Sequence, residues 1–146
     1  MHKTILITGG AGYVGSKLTE YALENKYRVI CMDNLVYGNK SIKKFLKNPN
    51  YIFFLNDVRD ENILKKIFKN KIDYVVNLAS IVGDKQCKII SKSAYDINYN
   101  GNKILSSYAI SNNVKKYIKS FFNKNQNINH IGIYWPLKNE VDIRRL

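Results

Sequence analysis

The residues best placed to do chemistry in this 146-residue chain are four glycines and an acid near its start. Gly9, Gly10, Gly12 and Gly15 lie within Thr8–Ser16. Gly10, Gly12 and Gly15 satisfy G-x-G-x-x-G, and Gly9, Gly12 and Gly15 the looser G-x-x-G-x-x-G. The apolar run Ile5-Leu6-Ile7 leads in, and a helix-capable segment beginning at Lys17 leads out. Strand, glycine turn and helix together present backbone N–H groups and the positive end of a helix dipole to a pyrophosphate. The first glycines permit the turn, the middle one lets backbone approach phosphate, and the last lets helix pack on strand. Asp33 ends the next apolar run, eighteen residues after Gly15. That spacing suits a carboxylate that hydrogen-bonds the adenosine ribose hydroxyls and repels a 2′-phosphate, so NAD is favoured over NADP.

These residues need a scaffold that gathers strand ends along one edge. Tyr27–Asn34, Tyr51–Leu55, Asp73–Ser80 and Val114–Ile118 read as further strands. Helical spacing separates them, with Ile63, Leu64, Ile67 and Phe68 on one segment and Ile104, Leu105, Tyr108 and Ala109 on another. Ser41–Leu46 reads as a short amphipathic helix closed by Asn48-Pro49-Asn50. The alternation predicts an α/β fold, a Rossmann-type doubly wound parallel sheet of order 3-2-1-4-5, with ligand across the carboxyl ends of the strands.

Composition narrows the function. The net charge of +13 attracts anions, but the lysines are scattered and no nucleic-acid-binding motif accompanies them. They read as solvated helix faces that help draw in an anionic dinucleotide or sugar nucleotide. Two cysteines, Cys31 and Cys87, and two distant histidines, His2 and His130, match neither a disulfide framework nor metal spacing, so no metal is expected. No apolar stretch is long enough to cross a bilayer, and Ile5–Ile7 is too short for a signal-peptide core. The expectation is a cytoplasmic protein.

Several segments together resemble the extended short-chain dehydrogenase/reductase family, in its NAD-dependent epimerase/dehydratase branch acting on nucleotide sugars. They are Thr8–Ser16, Asp33-Asn34-Leu35, Asp57-Val58-Arg59-Asp60, Asn77-Leu78-Ala79-Ser80 and Ile97–Gly101, in the family's order. Ile81-Val82-Gly83-Asp84 is similar to an epimerase subgroup. The resemblance implies NAD as cofactor. It implies backbone amides near Tyr13 and Val14 on the pyrophosphate, with Asp33 and Asn34 on the adenosine ribose. Asp57 would accept from the adenine amino group beside the Val58 amide, and Leu78, Ala79 and Ser80 would line the nicotinamide side. Asn98 would brace the central helix. Asp57 has a rival reading as a helix N-cap, because a helical run follows it.

Family catalysis uses a Ser or Thr after the fifth strand and a Tyr-x-x-x-Lys pair. After Ile118 the pattern dissolves into Lys119-Ser120-Phe121-Phe122. Tyr134 and Lys138 fit the spacing, but so do Tyr13 with Lys17 and Tyr99 with Lys103, and Tyr134 follows Ser120 by only fourteen residues. No catalytic residue is assigned. The expected organisation is an NAD-binding domain over residues 1–119 and a divergent tail over 120–146 without the substrate domain: a truncated chain, weak or inactive in catalysis. Two alternatives stand beside it. One is a minimal or split epimerase completed by another chain, with a nucleotide sugar as substrate. The other is a non-enzymatic interaction module with a basic surface. A homodimer through the helix around Ile97–Ala109 is left open.

Overall fold

A computed structural model describes residues 2–81 and 91–119. Val82–Asp84, Cys87, Ser120, the Tyr134–Lys138 pair, His130 and the rest of the tail over 120–146 lie outside the described residues.

Five parallel strands form one sheet in the order β3-β2-β1-β4-β5, as predicted. They are β1 (Thr4–Thr8), β2 (Arg28–Asp33), β3 (Tyr51–Leu55), β4 (Tyr74–Asn77) and β5 (Lys116–Lys119). β1 is central: Ile7 pairs with Cys31 of β2 on one side and Val76 of β4 on the other. A strand flanked on both sides and covered on both faces reads as a near-continuous apolar run, and all five residues of β1 are buried, with Ile5-Leu6-Ile7 between two threonines. The strand period of two then sorts side chains between two cores. Ile5, Ile7, Val29, Cys31 and Val76 join one core, and Leu6, Ile30, Met32 and Val75 the other. Each such side chain contributes about 1.5–3 kcal/mol by leaving water.

Helix α1 (Tyr13–Glu24) covers the first core with Leu18 and Ala22, and Gly15 and Thr19 are buried beside them. On the opposite face lies α2 (Glu61–Ile67), with Leu64 and Ile67. Helix α3 (Ser91–Tyr95) passes through a π-helical turn, Asp96–Gly101, into α4 (Asn102–Ser111). α4 buries Leu105 and Ala109 in the second core, with Ile104 and Tyr108 partly buried against it.

Two element predictions shift. Ser41–Leu46 forms only a 3₁₀ turn, Lys43–Phe45. Ile42 and Phe45, three apart and both buried, suit three residues per turn, and Asn48-Pro49 stops any extension. β5 begins at Lys116 and not at Val114. Val114 instead packs against the second core.

The amino edge of the sheet is held by Asp73. Its Oδ2 accepts from the Thr4 N–H at 2.9 Å, its N–H donates to the Thr4 carbonyl, and its Oδ1 faces Lys115 Nζ at 3.2 Å. Lys115 N–H also donates to the Asp73 carbonyl, so one residue ties together the starts of β1, β4 and β5. The amide and the ammonium hold the Asp73 carboxyl below the usual carboxylate range, the Thr4 amide contributing most.

Candidate functional site: the carboxyl edge of the sheet

The connection after β1 leads to β2 on one side and the connection after β4 leads to β5 on the other, and open α/β sheets take ligands at the carboxyl ends of the strands at such a switch point. The glycine turn lies at this point. Gly9 has φ +71°, and a Cβ there would stand 2.6 Å from the Leu78 carbonyl carbon and the Ala79 nitrogen. Only glycine allows both that conformation and that contact. The Gly9 N–H donates to the Met32 carbonyl at 2.8 Å, fixing the turn to β2. Gly15 lies against the Gly9 carbonyl oxygen and the Gly10 Cα, so the helix seats directly on the turn. Gly10 in turn covers the Cys31 sulfur. Burial pushes that thiol up to about 12, so it stays protonated and acts as packing.

Gly12 differs from the others. Its backbone is extended (φ −68°, ψ 173°), and a Cβ would meet only the Gly9 oxygen, at 3.2 Å. It is the N-cap of α1, yet no side chain caps the helix and no acid occupies its first turn. Helices normally satisfy first-turn N–H groups with such a side chain. Here the amides of Tyr13 and Val14 open a twelve-residue helix whose first turn carries no acid of its own.

Asp33 faces this helix end. Its Oδ2 accepts from the Ala11 N–H at 2.9 Å and its Oδ1 from the Leu35 N–H at 2.7 Å. The carboxylate therefore joins the turn after β1 to the loop after β2, with acceptor capacity left over. Asn34 is exposed beside it, its Oδ1 accepting from Val36 N–H at 3.4 Å. Ser41, which sequence reasoning missed, donates to the Ala11 carbonyl at 2.5 Å and closes the same corner.

At the end of β3, the structure decides between the two readings of Asp57 in part. The N-cap of α2 is Asp60, which accepts from Asn62 N–H at 2.9 Å and Ile63 N–H at 3.3 Å. Asp57 caps nothing. It accepts from Arg59 Nε and Nη2, both at 2.8 Å, and Arg59 holds its carboxyl below the usual range. Val58 is buried in the second core.

At the end of β4, Thr8 Oγ1 donates to Asn77 Oδ1 at 2.5 Å, and Asn77 Nδ2 donates to Asn102 Oδ1 at 3.1 Å. This polar chain links β1, β4 and α4 inside the molecule. Leu78, Ala79 and Ser80 follow, all half-buried, with Leu78 packed on the first core and Ala79 on the second. Asn98 accepts from the Ile81 N–H at 2.7 Å and donates to the Ile81 carbonyl at 2.8 Å. It braces the loop after β4 against the π-helical turn. Sequence reasoning placed Asn98 in a bracing role but missed Thr8 and Asn102, whose partners lie 69 and 25 residues away.

In each of the two described Tyr-x-x-x-Lys pairs one member has another contact. Lys17 faces Glu20 at 3.4 Å, and Tyr13 is 79% exposed at the helix end. Tyr99 stacks on Tyr95 with ring centroids 5.1 Å apart. Among the described residues, no three His, Cys, Asp or Glu side chains are grouped to hold a metal, and no helix is long and apolar enough to cross a membrane.

Comparison with known proteins gives the family and the fold. The family model described as NAD dependent epimerase/dehydratase family matches residues 5–120. The UDP-glucose 4-epimerase of Neisseria meningitidis serogroup A is 32% identical over 108 residues, 71% of this chain and 32% of that protein. The Drosophila melanogaster UDP-glucose 4-epimerase is 31% identical over 127 residues, 80% of this chain and 36% of its own. The chain thus spans about a third of the length of the curated relatives it matches. Among solved structures, Thermotoga maritima UDP-glucose 4-epimerase with UDP-glucose superposes with a TM-score of 0.72 at 29% identity, over 86% of this chain and 41% of that one. The Bordetella bronchiseptica enzyme WbmG in complex with NAD also gives 0.72, at 26% identity, over 82% of this chain and 37% of that one. By its glycine turn, its sheet order and the family match over 5–120, the chain belongs to the NAD-dependent epimerase/dehydratase family.

Proposed function

We propose that this chain binds NAD along the carboxyl edge of its sheet, as the NAD-binding domain of a nucleotide-sugar epimerase/dehydratase-type protein. One observation carries the reading: α1 opens on a bare glycine cap, without side-chain acceptor or first-turn acid, while Asp33 bonds the adjoining Ala11 amide. An uncapped helix end wants an anion, and a carboxylate one strand away wants hydroxyl donors. A dinucleotide supplies both.

The remaining residues fit the group from end to end. Gly9, Gly12 and Gly15 leave the turn without side chains, and the Tyr13 and Val14 amides would hold the pyrophosphate. Asp33 and Asn34 would take the adenosine ribose, Asp57 and the Val58 amide the adenine, and Leu78, Ala79 and Ser80 the nicotinamide side. Bound nicotinamide would supply a reversible hydride acceptor. The chain's own contribution is to bind, orient and hold that ring against the end of β4. Proton transfer to a nucleotide sugar needs a tyrosine and a lysine at the nicotinamide; of the two described pairs, Tyr13 opens α1 at the end proposed for the pyrophosphate, and Tyr99 stacks on Tyr95. We therefore read the chain as a cofactor-binding unit whose turnover of nucleotide sugars by itself is weak or nil.

Calorimetric titration of the whole chain with NAD, NADH and NADP tests this. NAD or NADH should bind, NADP should bind far more weakly, and Asp33→Ala should narrow the gap. Absence of heat with both NAD and NADH would overturn the reading.

A further inference from the structure

Arg59 makes more contacts than a surface arginine needs. Its Nε and Nη2 donate to the two oxygens of Asp57, both at 2.8 Å, and its own N–H donates to Asp57 Oδ1 at 2.9 Å. Its remaining terminal nitrogen, Nη1, donates to Asp96 Oδ2. Asp96 sits in the π-helical turn, where its Oδ1 accepts from Asn100 Nδ2 at 2.7 Å. The arginine stem is confined as well. A Cβ on Gly101 would stand 2.7 Å from Val58 Cγ1 and 3.4 Å from Arg59 Cγ, so the turn lies flat on this segment. Two residues past Asp96, Asn98 grips the Ile81 backbone. The π-helical turn therefore carries two sets of polar contacts, one to the end of β3 and one to the loop after β4. π-helical turns often sit where function needs a departure from regular helix.

We propose that Arg59 is a positioning residue for coenzyme selectivity: it fixes both oxygens of Asp57 and ties them through Asp96 to the π-helical turn, and so orients the acceptor that reads the adenine amino group. The proposal rests on the NAD-binding reading above and deepens it. A bidentate arginine holds a carboxylate in one plane, which an ammonium cannot do. A carboxylate held in that plane accepts from a purine 6-amino group and opposes a 6-oxo group, which brings an oxygen in place of a donor. A carboxylate free to rotate turns away from the oxygen and loses the distinction.

The test compares NAD with nicotinamide hypoxanthine dinucleotide, which differs at that one purine substituent. Affinities for both are measured by calorimetry on the full chain and on Arg59→Ala, Arg59→Lys and Asp96→Asn, each with a thermal melt. The parent chain should prefer NAD by about tenfold or more, the range of a hydrogen bond to a charged group. Arg59→Ala should bring the ratio close to one, and Arg59→Lys and Asp96→Asn should give intermediate ratios. A merely structural arginine would weaken both ligands together and leave the ratio unchanged, which would overturn the proposal. If Arg59→Ala does not fold, unchanged ratios in both Arg59→Lys and Asp96→Asn overturn it equally. A parent chain that binds both dinucleotides alike defeats the adenine role of Asp57, and this proposal with it, but leaves NAD binding standing. A parent chain that binds neither defeats the NAD reading itself.

Discussion

Replacing Gly12 with aspartate should move stability and coenzyme affinity in opposite directions. Gly12 already has the extended backbone of an N-cap, and a Cβ there meets only the Gly9 oxygen at 3.2 Å, so a side chain is seated once that carbonyl gives by a few tenths of an ångström. Aspartate at an N-cap exceeds glycine by a few tenths of a kcal/mol through its bond to a first-turn N–H. Its charge against the helix dipole adds about 0.3–1 kcal/mol. Repulsion from the Asp33 carboxylate, bonded to the adjacent Ala11 amide, offsets part of this. The expected net gain for the ligand-free chain is about 0.5–1 kcal/mol, or about 2–6 °C in Tm for a domain of this size. NAD should meanwhile lose the amides and face a like charge, with affinity falling at least about a hundredfold. Thermal melting by circular dichroism and calorimetric titration on the same preparation read both effects. A destabilised Gly12→Asp chain would refute the capping argument. Unchanged NAD affinity would refute the pyrophosphate assignment.

Gly15→Ala should also separate two rules. Helix propensity alone predicts a gain of about 1 kcal/mol, but the new Cβ would strike the Gly9 oxygen and the Gly10 Cα. Overpacking against backbone should win, with a net loss of about 1–3 kcal/mol in urea unfolding; a more stable variant would count against the close seating of helix on turn. Asp60→Ala removes the α2 cap and should cost about 1 kcal/mol with no change in NAD affinity. Asp73 has its carboxyl held down by Thr4 N–H and Lys115, so its contribution is complete above its ordinary value near 3.8 and is lost as pH falls through the lower folded value. Asp73→Asn should therefore destabilise the chain by about 1–3 kcal/mol at neutral pH, and the difference from the parent should shrink below pH 4. A gap that persists unchanged in acid would show that charge plays no part.

The sheet was legible because its cause is local. Ile5-Leu6-Ile7, Val29–Met32 and Val75-Val76 are continuous apolar runs that only a doubly covered parallel sheet can bury, and the glycines mark where the first run turns. The order 3-2-1-4-5 follows once each run is joined to the next by a helix. The 3₁₀ turn at Lys43–Phe45 escaped because Ile42 and Phe45 satisfy helical and 3₁₀ spacing alike. The cap of α2 was assigned to Asp57 as a rival when four acids and amides crowd Asn56–Glu61 and only backbone geometry selects Asp60. Arg59 was visible only as a letter in Asp57-Val58-Arg59-Asp60. Its other partner, Asp96, is 37 residues away, and no spacing rule reaches across that interval. Thr8, Asn77 and Asn102 were hidden for the same reason.

Asp33 has a consequence for any change of coenzyme. Its two oxygens act as a staple between the turn after β1 and the loop after β2, so the corner proposed to take the ribose is assembled when the chain folds and not when a ligand arrives. Exchanging that acid for a small or basic residue to admit a 2′-phosphate would also unfasten Ala11 from Leu35. A successful conversion to NADP must then supply a second acceptor for those two amides. On the proposed reading, specificity and scaffold at this corner are properties of one carboxylate and cannot be altered independently.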